Sequence, residues 1–163
     1  MFVIDMDLGD QGEYSDHGIL HSLSFKDWDM ISINGRTSLP GSYGMVTVPY
    51  DLLAYANTYS DLDNKNITPK GIRMIHDINY TRYTDYLSKK TSLLKVASSF
   101  NGICIYKINS ILNSSYDYKT PCEHRDFHKK MIDNGFNKIF INPYFIGYFS
   151  IQGPRNNILS LMH

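Results

Sequence analysis

The 163-residue chain has only two cysteines, Cys104 and Cys122, and a single tryptophan. Two thiols without the paired spacing of a zinc site or the density of a disulfide scaffold point to reduced cysteines in a cytoplasmic setting. An excess of either charge is also lacking: 16 Lys and Arg balance 16 Asp and Glu, for a formal net charge of zero. With no basic run there is no electrostatic footprint for a polyanion, so nucleic acid is not an expected partner. No stretch comes near the roughly 20 consecutive apolar residues that span a bilayer, and the amino terminus lacks the basic flank and small-residue cleavage site of a secretory signal. The expectation is a cytoplasmic protein with no membrane segment. What is present is 42% apolar residues, with thirteen Tyr and eight Phe. That composition buries enough surface to offset ordering entropy, and the length suits one domain over residues 1–163.

Met1 to Ile4 is an apolar run ending at Asp5, the pattern of a buried strand whose carboxyl end emerges at a working edge of a sheet. Ser15-Asp16 caps a predicted short helix through Ile19, Leu20 and Leu23. Asp29 to Gly35 alternates as a strand ending in an Asn34-Gly35 turn, and residues 36–49 read as irregular apart from a strand at Met45 to Val48. Residues 57–70 read as a surface loop. Tyr86, Leu87, Leu93, Leu94 and Ala97 approximate a helical stripe over residues 85–99. Gly102 to Tyr106 is a buried strand. Thr120 as cap, Pro121 at the first helical position and Glu123 three residues after the cap predict a capping-box helix that stops at Gly135. Lys138 to Pro143 closes as a strand stopped by the proline, and Tyr144 to Ile151 adds another. Strands alternating with helices predict an α/β fold, with functional groups at the carboxyl ends of strands.

Two motifs carry chemistry. Asp5-Met6-Asp7 sets two carboxylates where a strand gives way to a loop, so both can turn to one hard divalent cation; a plain pair of loop carboxylates is the other reading. Cys122-Glu123-His124-Arg125-Asp126-Phe127-His128 sits at a helix start, whose partial positive charge keeps a carboxylate ionised and fit to act as a base. His124 and His128, four apart, share a helix face and reach a common metal, or are ordinary exposed side chains.

The runs Ser99-Phe100-Asn101-Gly102-Ile103-Cys104-Ile105-Tyr106-Lys107, Cys122 to His128 and Ile141-Asn142-Pro143 resemble the glycosyltransferase domains of large DNA viruses. Those domains carry a Phe-Gly-Gly-x-x-Ile-Tyr strand and a Cys-Glu-His-x-Asp-Phe-His helix start. Phe2 to Asp7, Trp28 to Ile31 with Asn34-Gly35, and Tyr50 to Ala54 follow the same order, so the resemblance runs from residue 2 to about residue 143. It implies the carboxyl-terminal part of a GT-A domain, a Rossmann-like nucleotide-diphospho-sugar transferase with a mixed sheet and flanking helices. Implied with it are a nucleotide-sugar donor, a glycan or glycoprotein acceptor, and Mn²⁺ or Mg²⁺ held by Asp5 and Asp7, with His128 a further ligand. Asp126, then Glu123, is the implied catalytic base. Gly102, Asn101, Asn34, Gly35, Tyr50 and Asp51 are the implied substrate-binding residues, with Gly102 letting a sugar approach the strand closely. Asn101 stands where the family has the first Gly of its pair. Four residues precede Asp5, where the resembled domains have the half that forms most of the nucleoside pocket; a start placed too late, a split gene with a separately encoded amino-terminal half, or a decayed copy would each account for this.

Two other readings stay open. One is a non-catalytic remnant, or a subunit of such a pair. The other is a haloacid-dehalogenase-like phosphatase, whose opening strand Phe2 to Asp7 also resembles, although Gly9 replaces the expected Thr or Val and no late Gly-Asp-x-x-x-Asp run follows.

Overall fold

The computed structural model of the chain describes residues 1–4, 13–41, 44–63, 92–117 and 122–149. Its elements are β1 (Phe2–Ile4), β2 (Glu13–Tyr14), α1 (Asp16–Ser24), β3 (Met30–Gly41), β4 (Gly44–Pro49), a 3₁₀ turn (Tyr59–Asp63), β5 (Leu94–Lys95), β6 (Ile103–Tyr106), α2 (Ile108–Ile111), α3 (Glu123–Asp133) and β7 (Ile139–Phe149). The fold is mixed α/β. Its strands run in the order β1-β6-β3-β7-β2, with β4 added to β3 and β5 to β7. No helix among the described residues is long and apolar enough to cross a membrane.

β3 is the axis of the sheet. It pairs antiparallel with β6 and parallel with β7, and its alternating side chains feed two cores. Met30 packs with Tyr55, Tyr106, Phe127 and Met131 on the α3 face. Ile31 and Ile33 pack with Trp28, Ile103, Phe145 and Phe149 on the α1 face. Burial on both faces explains why Ile103 to Tyr106 reads as an unbroken apolar run rather than an alternating one.

Four expectations are corrected. Asn34-Gly35 is not a turn: both lie inside β3, which continues to Gly41 and forms a hairpin with β4, so most of the stretch read as irregular is strand. Residues 92–99 are not helical, because Leu94–Lys95 pairs with β7 and Ser98 bridges Ala56; residues 85–91 lie outside the described residues. Within the expected loop 57–70, Tyr59–Asp63 forms a 3₁₀ turn, with Thr58 N–H donating to the Asp61 carboxylate at 2.9 Å. Pro143 does not end its strand. β7 runs through it as a bulge: Ile33 lies opposite Asn142 and Asn34 opposite Ile146, leaving Pro143, Tyr144 and Phe145 without partners in β3. A residue without an N–H is tolerated where the ladder is interrupted.

The bulge fixes α1. Ser15 caps the helix by accepting from Gly18 N–H, as expected, but the helix buries its small face, Gly18 and Ser22, and exposes Leu20 and Leu23. A Cβ on Gly18 would lie 2.4 Å from Phe145 Cα. Asn142 Nδ2 donates to Ser22 Oγ at 2.7 Å, and its Oδ1 accepts from Tyr144 N–H at 3.0 Å. At its far end α3 stops as predicted. Gly135 has φ +91°, its N–H reaches Ile132 O at 2.9 Å and Phe136 N–H reaches Met131 O at 3.0 Å, the paired bonds of a Schellman motif.

Gly18→Ala and Gly135→Ala should separate two costs. Gly135 has open space around it, so its variant carries only left-handed strain, about 1 kcal/mol. Gly18→Ala pushes against backbone and is expected to lose about 1–2 kcal/mol in urea unfolding even after its gain in helix propensity. A stabilised Gly18→Ala would contradict the close helix-strand contact.

Candidate functional site

The structure brings together the three residue pairs expected to bind substrate. Ile4, the last residue of β1, lies opposite Ile103, so the carboxyl end of β1 adjoins the Asn101-Gly102 turn that opens β6. Tyr50 N–H donates to Gly35 O at 2.9 Å. The Asn101 carbonyl oxygen would lie 2.2 Å from a Cβ on Gly35, and Asn101 Nδ2 donates to Ile33 O at 2.9 Å. Asn101 and Asp51 hold φ of +56° and +50°, a left-handed conformation that Asn and Asp tolerate better than other side chains. That tolerance is a local reason for Asn at a position where the resembled family has Gly. Asn34 is buried and donates to Pro143 O at 3.3 Å, holding the β7 bulge. Asp5 and Asp7 lie outside the described residues.

The space left by the missing side chain of Gly102 is filled from within. A Cβ there would lie 2.4 Å from the Phe149 ring, and virtual Cβ atoms on Gly35 and Gly147 would lie 3.0 and 3.5 Å from the same ring. Tyr50 stacks over it at 4.5 Å and 17°. The close approach expected of a sugar at Gly102 is therefore made by Phe149 in this conformation. Linear sequence offers no signal for this, since three glycines from separate strands and one aromatic meet only through register.

The helix start differs from the predicted capping box. α3 begins at Glu123 with Cys122 as its N-cap and no side-chain capping bond. Glu123 thus occupies the first helical position, is exposed, and complements the helix dipole. Asp126, partly buried, forms an i, i+4 ion pair with Lys130 at 2.6 Å. Arg125 is buried and donates to the Tyr55 and Asp61 carbonyls, tying α3 to the segment after β4; burial lowers its pKa, while Cys122, Asp61 and Asp51 act to raise it. Burial pushes the Cys122 thiol up to about 11, with the Asp51 charge adding to the effect. Cys104 is also a buried free thiol raised by burial, so neither cysteine is a thiolate near neutral pH.

No protein-family model, curated protein or solved structure matches this chain. The functional reading therefore rests on its own residues.

His124 and His128 do share a helix face, but that face meets the core. His124 stacks on Phe100 at 3.8 Å and 9°. His128 is completely buried; Ser98 Oγ lies 2.8 Å from its Nδ1 and Tyr106 Oη 2.9 Å from its Nε2. Both ring nitrogens are in use, so His128 does not fit the role of metal ligand in this arrangement. It is not an exposed side chain either. Among the described residues no group of three His, Cys, Asp or Glu side chains is placed to hold a metal. The His128 network joins α3 to β6 and to the segment leading into Asn101, a link that the small polar run Ser98-Ser99 between apolar neighbours signals only faintly.

Burial, with a smaller effect from His124, lowers His128 from 6.5 to about 3. Between those values the unfolded chain binds a proton that the folded protein does not. Its contribution to stability is complete above about pH 6.5 and is lost as pH falls towards 3, at up to about 1.4 kcal/mol per pH unit. Urea midpoints measured from pH 7.5 to 4.5 should show this slope, and His128→Gln should flatten it. An unchanged slope in that variant would place the titration elsewhere.

Proposed function

We propose that the chain is the metal-binding, base-bearing part of a GT-A-type glycosyltransferase, which moves a sugar from a nucleotide-sugar donor to a glycan or glycoprotein acceptor. The observation that carries the reading is convergence. Asn34-Gly35, Tyr50-Asp51 and Asn101-Gly102 come from three separate stretches and meet beside the end of β1, after which Asp5-Met6-Asp7 follows in sequence. Working groups in α/β folds gather at such strand ends.

In this reading Asp5 and Asp7 hold Mn²⁺ or Mg²⁺, which offsets charge on the departing diphosphate. Asp126 is the base. Its carboxylate takes the proton of the acceptor hydroxyl, the hydroxyl oxygen bonds to the anomeric carbon, and the bond from that carbon to the diphosphate oxygen breaks. Glu123, exposed at the head of the helix, is the second candidate.

Specific observations favour a second, non-catalytic reading, in which the chain is a remnant or a structural subunit. Phe149 fills the space beside Gly102, and both His128 nitrogens are engaged within the protein. Calorimetric titration with UDP-sugars and Mn²⁺ decides between the two. The transferase reading expects Mn²⁺-dependent binding and donor hydrolysis, abolished by Asp7→Asn with the fold intact. It also expects Asp126→Asn to lose transfer while still binding donor. Retained transfer in Asp126→Asn would move the base to Glu123, and no heat at millimolar donor from folded protein would favour the non-catalytic role.

A further inference from the structure

Beyond Gly35 the α3 face of the sheet opens to solvent. A row of paired residues crosses it: Pro49 in β4, Arg36 in β3, Tyr148 in β7 and Glu13 in β2. Paired residues share a face, so the Arg36 and Tyr148 side chains are neighbours, with strands about 4.8 Å apart. Tyr148 is 49% exposed and Glu13 is exposed. Arg36 is half-buried. Its Nε is shielded and has no hydrogen-bond partner, and no carboxylate among the described residues forms an ion pair with it. The carboxylate of Glu13 projects from two strands away, about 10 Å across the sheet.

This arrangement is unusual for a guanidinium. A stem packed into a sheet face normally sends its head group to a carboxylate or a carbonyl, because a shielded donor without a partner costs free energy. Here the shielded Nε has no partner, and among the described residues no carboxylate pairs with the head group. A fork held in place in this way suits bidentate binding of a phosphate-type oxyanion. The exposed Tyr148 ring beside it offers a stacking surface for a planar base.

We propose that Arg36 binds the diphosphate of a nucleotide whose base or sugar lies against Tyr148. This deepens the nucleotide-sugar reading and rests on it for the identity of the ligand, while the oxyanion site stands on the geometry alone. Gly35 and the Phe149 ring lie on the opposite face of the sheet, whereas Asn34, two positions along β3, shares the face of Arg36.

The test is titration of the whole chain with pyrophosphate and with UDP in the presence of EDTA, followed by calorimetry or amide shifts. Both ligands should bind the wild type without metal. Arg36→Ala should weaken both about tenfold or more, as expected for loss of a charge-assisted pair, and Arg36→Lys should recover part of the loss. Tyr148→Ala should weaken UDP alone. Far-UV circular dichroism on each variant separates loss of binding from loss of fold, and the Lys variant keeps the charge should Ala fail to fold. Unchanged binding in Arg36→Ala, or no binding of either ligand to the wild type at millimolar concentration, overturns the proposal. A Tyr148→Ala protein that binds UDP like the wild type overturns its nucleotide half. Metal-free pyrophosphate binding without any Mn²⁺-dependent donor hydrolysis would leave the Arg36 site standing while the transferase reading fails, so the two failures give different results.

Discussion

Parallel pairing of β3 with β7 across a three-residue bulge is the constraint from which the rest of the structure follows. Up to Ile33 the two strands are in simple register; beyond it β7 has gained Pro143, Tyr144 and Phe145. The excess turns Phe145 against Gly18 and lets Asn142 reach the buried Ser22, so α1 docks by a small polar face. It also sets the second half of β7 so that Phe149 lies over Gly35 and Gly102 and Tyr148 lies beside Arg36. Register is a collective property, and a slip of one residue would move each of these side chains to the opposite face.

The other face is organised by α3. Its inward groups include apolar Phe127 and Met131, but also Arg125, whose two terminal nitrogens reach carbonyls while its Nε has no partner, and His128, both of whose ring nitrogens meet hydroxyls. Buried polar groups of this kind are costly unless paired, and when paired they admit few alternative packings. The hydroxyls of Ser98 and Tyr106 hold the helix to β6 and to the approach to Asn101. That coupling gives the Cys122 to His128 motif a structural meaning independent of any metal.

Local signals were legible wherever a feature depends on near neighbours. The Ser15 cap, the Gly135 stop, and the strands at Ile103–Tyr106 and Ile139–Phe140 all stand in the structure; Phe2–Ile4 is a strand too, but it lies at the end of the sheet with Phe2 and Ile4 exposed rather than buried as expected. The misreadings share one cause. Asn34-Gly35 carries strong turn chemistry, yet strand pairing on both sides carries β3 through it. The stripe over residues 85–99 has helical spacing, yet Leu94 and Lys95 are claimed by β7. Pro143 is a strand stop by rule and a bulge in fact, because its missing N–H falls where β3 offers no partner. In each case tertiary pairing outweighed a propensity of a kcal/mol or less.

The sequence by itself determined the α/β class, the buried character of the central strands, the Ser15 cap and the Gly135 stop, while a family resemblance offered Asn34-Gly35, Tyr50-Asp51 and Asn101-Gly102 as candidates. Only the tertiary structure decided that these three pairs adjoin, that Phe149 occupies the room Gly102 leaves, that His128 bridges two hydroxyls, and that half-buried Arg36 lies opposite Tyr148. The division has a physical reason. Apolar runs and caps act over one or two turns of chain, whereas the approach of residues 35, 102 and 149 depends on sheet register, which no single segment encodes.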